Sequence, residues 1–197
     1  KSVSYAPRRL TVLLNDETKD VADGNYKHCF VVNKLDHYIY TVMVKGQLVR
    51  IKPNTRTCEL LLKKVGTSTR PDACDSYLAF SPVKGQENML YVAMAEGNQI
   101  WRVDVGNLEG KDKNTYPGEG YAGKAILEGQ VAGAGWEDGL LRNAKFDNPH
   151  QICFTEDGKL YIADCGNNCI RVIDTKLPLD RAMVTTPIGL PGMKGYK

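Results

Sequence analysis

The sequence has no long apolar run and little excess charge of either sign. All its apolar runs fall far short of the roughly 20 residues that a membrane-spanning helix needs. There are 26 basic and 23 acidic residues, which gives a net charge of +3. This balance, without a clustered basic face, argues against a nucleic-acid surface. The chain opens at Lys1 with neither an initiator methionine nor a signal peptide, so we expect it to begin within a longer protein.

Several common signatures of enzymes and of helical folds are also missing. No segment keeps a 3.6-residue apolar period for three turns, which disfavours a helix-rich fold. The sequence contains no Gly-x-Ser-x-Gly elbow or Walker loop, and its near-fingerprint at 118–123 lacks a strand–turn–helix context, so that segment is expected to be a flexible insertion. Cys165 and Cys169 form one cysteine pair, but nothing completes a four-ligand zinc site. We therefore expect the six cysteines to be small buried strand residues.

The sequence does contain an internal repeat. Residues 160–174 and 90–104 each hold two strand-like segments around a Gly-Asn turn, and 39–52 is a weaker copy aligned by Arg50, Arg102 and Arg171. A further strand is predicted before each pair and another after it. The preceding strands are 29–32, 77–80 and 151–154, and the following strands are 58–62, 124–127 and 182–185. Repeated units of four antiparallel strands predict an all-β fold, a β-propeller.

The last repeat resembles the NHL family. Residues 146–149 fit its F-x-x-P motif, 157–164 fit D-G-x-L-Y-V-A-D, and 166–171 fit G-N-x-x-I-R. The resemblance is fullest over 146–174, partial over 78–104 and least over 29–52. It implies about three blades of a propeller that usually has six in this family.

The resemblance also implies how the chain is divided. We expect 1–197 to be part of one propeller domain, because three blades alone would leave two open edges. The expected blades are 26–64, 75–128 and 146–187, with 1–20 ending a preceding blade and 188–197 beginning the next.

A second resemblance concerns location. The divergent first unit, the long insertion between units and the Gly-Trp-Glu-Asp-Gly loop at 135–139 are similar to bacterial envelope proteins that pair an IPT/TIG domain with a C-terminal NHL propeller. This implies a lipoprotein in the periplasm or at the cell surface, often linked to polysaccharide utilisation. Contact with a membrane would then occur only through a lipid anchor outside this segment.

Four residues are candidates for a ligand site: Trp136, Tyr121, His28 and His150. Trp136 lies in a glycine-rich loop and Tyr121 in the predicted insertion 106–123, where exposed aromatic rings would stack on sugars or hold a protein partner. The alternative is that Trp136 fills the space between blades. His28 and His150 precede or begin predicted inner strands, so both are expected at the mouth of the central channel.

Two functions are compatible with these features. The first is a non-catalytic module, without a cofactor, that binds a glycan or a protein partner through its loop-lined end. The alternative is a metal-dependent lyase or hydrolase in which His28 and His150 hold a divalent metal with ligands from other blades. A catalytic zinc needs three ligands and an open position, and the middle unit offers no histidine. Asp164 is expected to accept hydrogen bonds from turn amides rather than to act as an acid or base; no catalytic residue is assigned.

Overall fold

The computed structural model describes residues 29–43, 46–66, 76–124 and 132–193. Within these ranges the chain forms strands and no helix, so the described residues contain no helix that could cross a membrane. The strands are β1 (Phe30–Val32), β2 (Ile39–Val42), β3 (Leu48–Lys52), β4 (Thr57–Leu62), β5 (Ser76–Phe80), β6 (Met89–Met94), β7 (Gln99–Asp104), β8 (Glu119–Ala122), β9 (Gly139–Leu140), β10 (Pro149–Phe154), β11 (Lys159–Asp164), β12 (Cys169–Asp174) and β13 (Met183–Ile188).

The strands form three antiparallel sheets in chain order. The first is β1-β2-β3-β4, the second β5-β6-β7-β8, and the third β10-β11-β12-β13 with β9 added at its outer edge. β5 packs beside both β1 and β10, so the first strands of the three sheets lie side by side. This is how the inner strands of propeller blades are arranged, and it confirms the predicted all-β fold of four-stranded units.

Two apolar layers hold the three sheets together. Side chains alternate between the two faces of each strand, so each sheet offers one apolar face to each neighbour. Tyr40 of the first sheet meets Phe80 of the second edge-on, with ring centroids 5.1 Å apart. Tyr91 of the second sheet meets Phe154 of the third in the same way at 5.2 Å. The same contact therefore recurs at both sheet interfaces.

The arginine alignment expected from the sequence is wrong for the last unit. Equivalent tyrosines in the three sheets face different partners: Tyr40 pairs with Arg50, Tyr91 with Arg102, and Tyr161 with Val172. Arg171 pairs instead with Ile162, so the true counterpart of Arg171 in the second sheet is Trp101. A shift of one residue along a strand moves a side chain to the opposite face, and Arg171 is fully buried as a result.

The fourth strand of the second sheet also differs from expectation. It is β8, before the predicted 124–127, of which 125–127 lie outside the described residues. β8 pairs with β7 along the backbone, at Ile100–Ala122 and Trp101–Gly120, and Nη2 of Arg102 lies 2.9 Å from Oε2 of Glu119 beside this pairing. Gly118 permits the close approach: its φ is +87°, and a Cβ there would lie 2.8 Å from Val103. The segment 118–123 is therefore not a flexible insertion, since most of it is strand.

The remaining expectations about domain limits fall largely on undescribed segments. Residues 1–20 lie outside the described ranges, as do 194–197. Ile188, expected to begin the next blade, is the last residue of β13.

Candidate functional site

An aromatic pair lies where the inner strands β5 and β10 begin. The rings of Tyr77 and His150 stack with centroids 5.1 Å apart and an interplanar angle of 25°. The Tyr77 hydroxyl lies 3.4 Å from Nδ1 of His150, and both side chains are partly exposed. The strand β10 is bulged between Pro149 and Ile152, where His150 lies, and the repeat in the sequence carries no signal for this pairing. Bulges re-aim side chains relative to a regular strand.

Two asparagines from neighbouring sheets hold this pair in place. Asn148 has a φ of +55° and donates its backbone N–H to Oδ1 of Asn98 at 2.8 Å. Asn98 has a φ of +52°, and its Nδ2 donates to the carbonyl of Ala132 at 2.9 Å. Asparagine adopts such left-handed conformations more readily than most residues. Oδ1 of Asn148 then lies 3.2 Å from Nε2 of His150, so the imidazole has a polar neighbour at each nitrogen.

The exposed parts of the two rings can bind a ligand by stacking. A neutral imidazole has one donor and one acceptor nitrogen, and both nitrogens of His150 already face a polar partner. His28, the second candidate histidine, lies outside the described residues. The described ranges contain no group of three or more His, Cys, Asp or Glu side chains arranged to hold a metal ion.

Trp136 offers a second, separate aromatic surface. Its side chain is 46% exposed, and its Nε1 donates to Oγ1 of Thr186 on β13 at 3.1 Å. Thr186 in turn donates its backbone N–H and its hydroxyl to Asp138. Because β10 and β13 are separated by two strands spaced about 4.8 Å apart, the structure does not bring His150 and Trp136 into one site.

Tyr121 is not an exposed aromatic residue, which corrects the expectation from the sequence. It lies in β8 and is only 4% exposed, with its ring 4.9 Å from that of Tyr91 in the layer between the second and third sheets. Burial raises the pKa of its hydroxyl. The ring is unavailable to a ligand because the segment that carries it is a strand and not a loop.

A buried ion network, which sequence reasoning missed, fixes the loop that carries Trp136. Arg171 and Asp164 are both fully buried, with Nη1 of Arg171 2.7 Å from Oδ2 of Asp164. Arg171 also donates to Oδ1 of Asp138 and to the carbonyls of Glu137 and Lys145, each at 2.8 Å. The segment 137–145 is thereby tied to the third sheet. The signal in the sequence is the Asp and the Arg of the repeat pattern, Asp164 and Arg171.

Asp164 does accept hydrogen bonds near the turn, as expected. The backbone N–H of Asp147 donates to it at 2.8 Å, as does Nδ2 of Asn167. Burial raises the pKa of its carboxyl, while these hydrogen bonds and Arg171 act in the opposite direction. Asp164 is not exposed to solvent, and its carboxylate accepts hydrogen bonds from Asp147, Asn167 and Arg171. These contacts are typical of a structural residue.

The cysteines differ among themselves. Cys58 and Cys169 are buried, as expected of small strand residues, but Cys153 and Cys165 are exposed. All of the described cysteines are free thiols. Burial raises the pKa of Cys169 to about 11, helped by the charge of Asp164.

Antiparallel sheets whose first strands lie side by side define the described part of the chain as blades of a β-propeller. Residues 146–173 match the family described as "NHL repeat". Residues 146–173 therefore carry an NHL repeat, and the described part of the chain has a β-propeller fold.

Two solved structures from Bacteroides thetaiotaomicron VPI-5482 have similar folds. One, an auxiliary nutrient binding protein, is 20% identical with a TM-score of 0.59, and the match covers 80% of this chain and 35% of that one. The other, a structural genomics protein of unknown function, is 21% identical with a TM-score of 0.60, covering 84% of this chain and 36% of that one. At such identity the likeness establishes the fold alone.

A curated relative matches over a shorter stretch. "Protein SUPPRESSOR OF QUENCHING 1, chloroplastic" from Arabidopsis thaliana is 36% identical over 52 residues, which is 26% of this chain and 5% of that protein. The chain thus spans about a third of the similar solved structures and a small fraction of this relative.

Proposed function

We propose that this chain is part of a non-catalytic β-propeller that binds a glycan in the bacterial cell envelope. The observation that carries the proposal is the stacked pair of Tyr77 and His150 at the start of the inner strands. A partly exposed aromatic surface beside amide groups suits a ligand with flat apolar faces and many hydroxyls. A protein partner is the alternative ligand, and the binding experiment below distinguishes the two.

The rigidity of the site supports a binding role. The Tyr77–His150 pair spans two sheets and is held by Asn98 and Asn148 from two different turns. Recognition residues are commonly placed on loops and strand ends that a rigid scaffold positions. A preformed site of this kind loses little conformational entropy when a ligand binds.

The proposed location rests on resemblance. One similar fold belongs to an auxiliary nutrient binding protein from Bacteroides thetaiotaomicron. We extend this to a lipoprotein of the periplasm or cell surface, associated with an IPT/TIG domain and linked to polysaccharide utilisation. Fractionation of the producing bacterium, followed by metabolic labelling with a fatty acid, tests this location directly. Recovery of the unlabelled protein from the cytoplasm would contradict it.

Binding is tested first on a glycan array and then by titration calorimetry with the glycans that bind. We expect His150→Ala and Tyr77→Ala to weaken binding at least about tenfold, as the loss of a central aromatic contact does. Trp136→Ala is the matched control, because it removes an aromatic ring from the loop against β13, away from the Tyr77–His150 pair, and should leave this binding unchanged.

Three results would refute the proposal. Glycan binding that survives both His150→Ala and Tyr77→Ala would show that this pair is not the binding site. Capture of a protein but no glycan by the same site would show that the ligand is a protein. Stoichiometric zinc in the purified protein that is lost in His150→Ala would instead favour a metal-dependent enzyme.

A further inference from the structure

Two tyrosine hydroxyls are buried between the second and third sheets without a hydrogen-bond partner. Tyr91 of β6 is fully buried and Tyr121 of β8 is nearly so, and both belong to the apolar layer that joins these sheets. Within the described part of the chain, neither hydroxyl makes a hydrogen bond. Such groups are rare in folded proteins, because a buried hydroxyl that gives up water and gains no partner destabilises the fold.

The interface between the first and second sheets shows how such a hydroxyl can be satisfied directly. Tyr40 is the counterpart of Tyr91, since each faces an arginine of the next strand. The Tyr40 hydroxyl donates to Oδ2 of Asp36, four residues earlier, at 2.6 Å. Glu87 stands four residues before Tyr91, but its Oε2 accepts the backbone N–H of Gly85 at 2.7 Å. The carboxylate that serves Tyr40 thus has no equivalent at Tyr91 in the described sheets.

Tyr121 adds a second hydroxyl where the first sheet has a hydrocarbon side chain. Tyr121 is the residue without a partner in the bulge of β8 against β7, and Leu61 is the corresponding residue of β4 against β3. The second interface therefore has one more buried hydroxyl than the first and one acceptor fewer. The two unpartnered hydroxyls are a feature of this interface and not of the repeat as such.

Two further polar side chains border these hydroxyls. The Tyr91 hydroxyl has Arg102 and Thr175 as its other polar neighbours, and the guanidinium of Arg102 lies 5.3 Å from the Tyr121 ring centroid. Thr175 is buried and donates its hydroxyl proton to a backbone carbonyl at 2.7 Å, so its oxygen can still accept a hydrogen bond. The charge of Arg102 is balanced by Glu119, with Nη2 2.9 Å from Oε2. The surroundings thus offer donors and acceptors but no unbalanced charge.

We propose that Tyr91 and Tyr121 share one buried water molecule, which bridges the second and third sheets by also binding Thr175. A buried water typically makes about three hydrogen bonds to polar groups that have no other partner. Water both donates and accepts, as this set of groups requires, whereas an anion only accepts. Because Glu119 already balances Arg102, an anion would also find no free positive charge here.

The proposed water lies in the interface that the Tyr77–His150 pair spans, but it is a separate site. Tyr91 is fully buried, whereas both rings of the pair are partly exposed. The water therefore does not touch a ligand of that pair, and the proposal stands whether or not a glycan binds there. Its effect is on packing, because a bridging water contributes nearly as much as a direct hydrogen bond to holding two surfaces together.

A crystal structure at high resolution tests the site directly. We expect one ordered water with its oxygen within about 3.2 Å of both tyrosine hydroxyls and of Oγ1 of Thr175. Tyrosine hydroxyls that bond directly to each other, with no water beside them, would overturn the proposal. A crystal soaked in sodium bromide distinguishes water from an anion, because bromide is identified by its anomalous scattering. Bromide at this position would also overturn the proposal.

Urea unfolding of phenylalanine variants is an independent test, because the two explanations predict opposite signs. With a bridging water, Tyr91→Phe and Tyr121→Phe should each lower the folding equilibrium constant about fivefold, the contribution of one hydrogen bond. With no partner in the folded protein, each variant would instead remove an unsatisfied hydroxyl and raise that constant, which would overturn the proposal. Tyr161→Phe is the matched control, since Tyr161 holds the same strand position in the third sheet but is partly exposed. It should leave the constant unchanged.

The double variant shows whether one water serves both hydroxyls. In Tyr91→Phe with Tyr121→Phe, the loss in the folding equilibrium constant should be smaller than the product of the two single losses, because groups that share a partner are coupled. Losses that multiply fully would assign a separate partner to each hydroxyl and overturn the proposal.

Discussion

Replacing Arg171 by methionine should destabilise the chain far more than any other single arginine substitution in the described sheets. Arg171 is fully buried and binds Asp164 and Asp138 as well as the carbonyls of Glu137 and Lys145. The variant leaves Asp164 buried without its cation. It also releases the segment that carries Trp136.

The magnitude follows from the burial of both partners. Removing one member of a buried ion pair destabilises a protein by about 3 to 5 kcal/mol, because the remaining charge is buried without a partner of opposite sign. In the second sheet, Met94 and Trp101 take the places of Asp164 and Arg171, so an apolar pair is acceptable at these positions. The double variant Asp164→Met with Arg171→Met should therefore be more stable than Arg171→Met alone. It should still lose about 1 to 3 kcal/mol through the two freed carbonyls.

The assay is urea unfolding followed by tryptophan fluorescence and circular dichroism. Arg102→Met is the matched control, because the Arg102–Glu119 pair is partly exposed and such pairs contribute about 0 to 1 kcal/mol. A loss below about 1 kcal/mol for Arg171→Met would refute the reasoning. The reasoning would also be refuted if the double variant were less stable than Arg171→Met, because the unpaired buried carboxylate of Asp164 would then not be the main cause of destabilisation.

Two further predictions concern the charge of Glu59 and the backbone conformation at two glycines. Burial alone would raise the pKa of Glu59, but its hydrogen bonds and charge interaction with Arg50 outweigh burial and lower that pKa. The stabilisation of the folded state by ionised Glu59 is therefore complete above the pKa of the unfolded state, about 4.3, and disappears as the pH falls through the pKa of the folded state. Glu59→Gln should thus flatten the dependence of the free energy of unfolding on pH below about 4.3, by less than about 1 kcal/mol in total because the pair is partly exposed. An unchanged dependence in urea unfolding at a series of pH values would contradict this. Gly189→Ala should destabilise by about 1 to 3 kcal/mol, since φ is +91° and a Cβ would lie 2.7 Å from the carbonyl of Asn168. Gly192→Ala, with a φ of +76° and open space around it, should have the smaller effect in urea unfolding.

Most of the fold could be predicted from strand-like segments and turn residues. The repeated Leu-Tyr segments and Gly-Asn turns located β6, β7, β11 and β12, because β propensity, turn chemistry and alternation all agree there. β8 could not be found in this way. Its sequence, Glu-Gly-Tyr-Ala, contains three poor strand formers, and its place is set by the long-range backbone pairing with β7 and by the burial of Tyr121.

The candidate site was less predictable than the fold. His150 was expected near the channel mouth, but its partner Tyr77 became apparent only when the sheets were packed together. The buried pair of Arg171 and Asp164 was hidden by an alignment that matched arginines by residue type. Strand pairing shows that a difference of one residue places Arg171 on the opposite face from Arg102.

The two sheet interfaces differ in chemistry, and this difference bears on assembly. Met94 and Trp101 belong to the apolar layer between the first and second sheets, whereas Asp164 and Arg171 place charge at the same positions of the third sheet. Repetitive chains are prone to pairing one unit with the wrong neighbour. Exchanging these two units would bury a charged pair in the apolar layer that Met94 and Trp101 now share with the first sheet, and the cost of burying charge there disfavours that order.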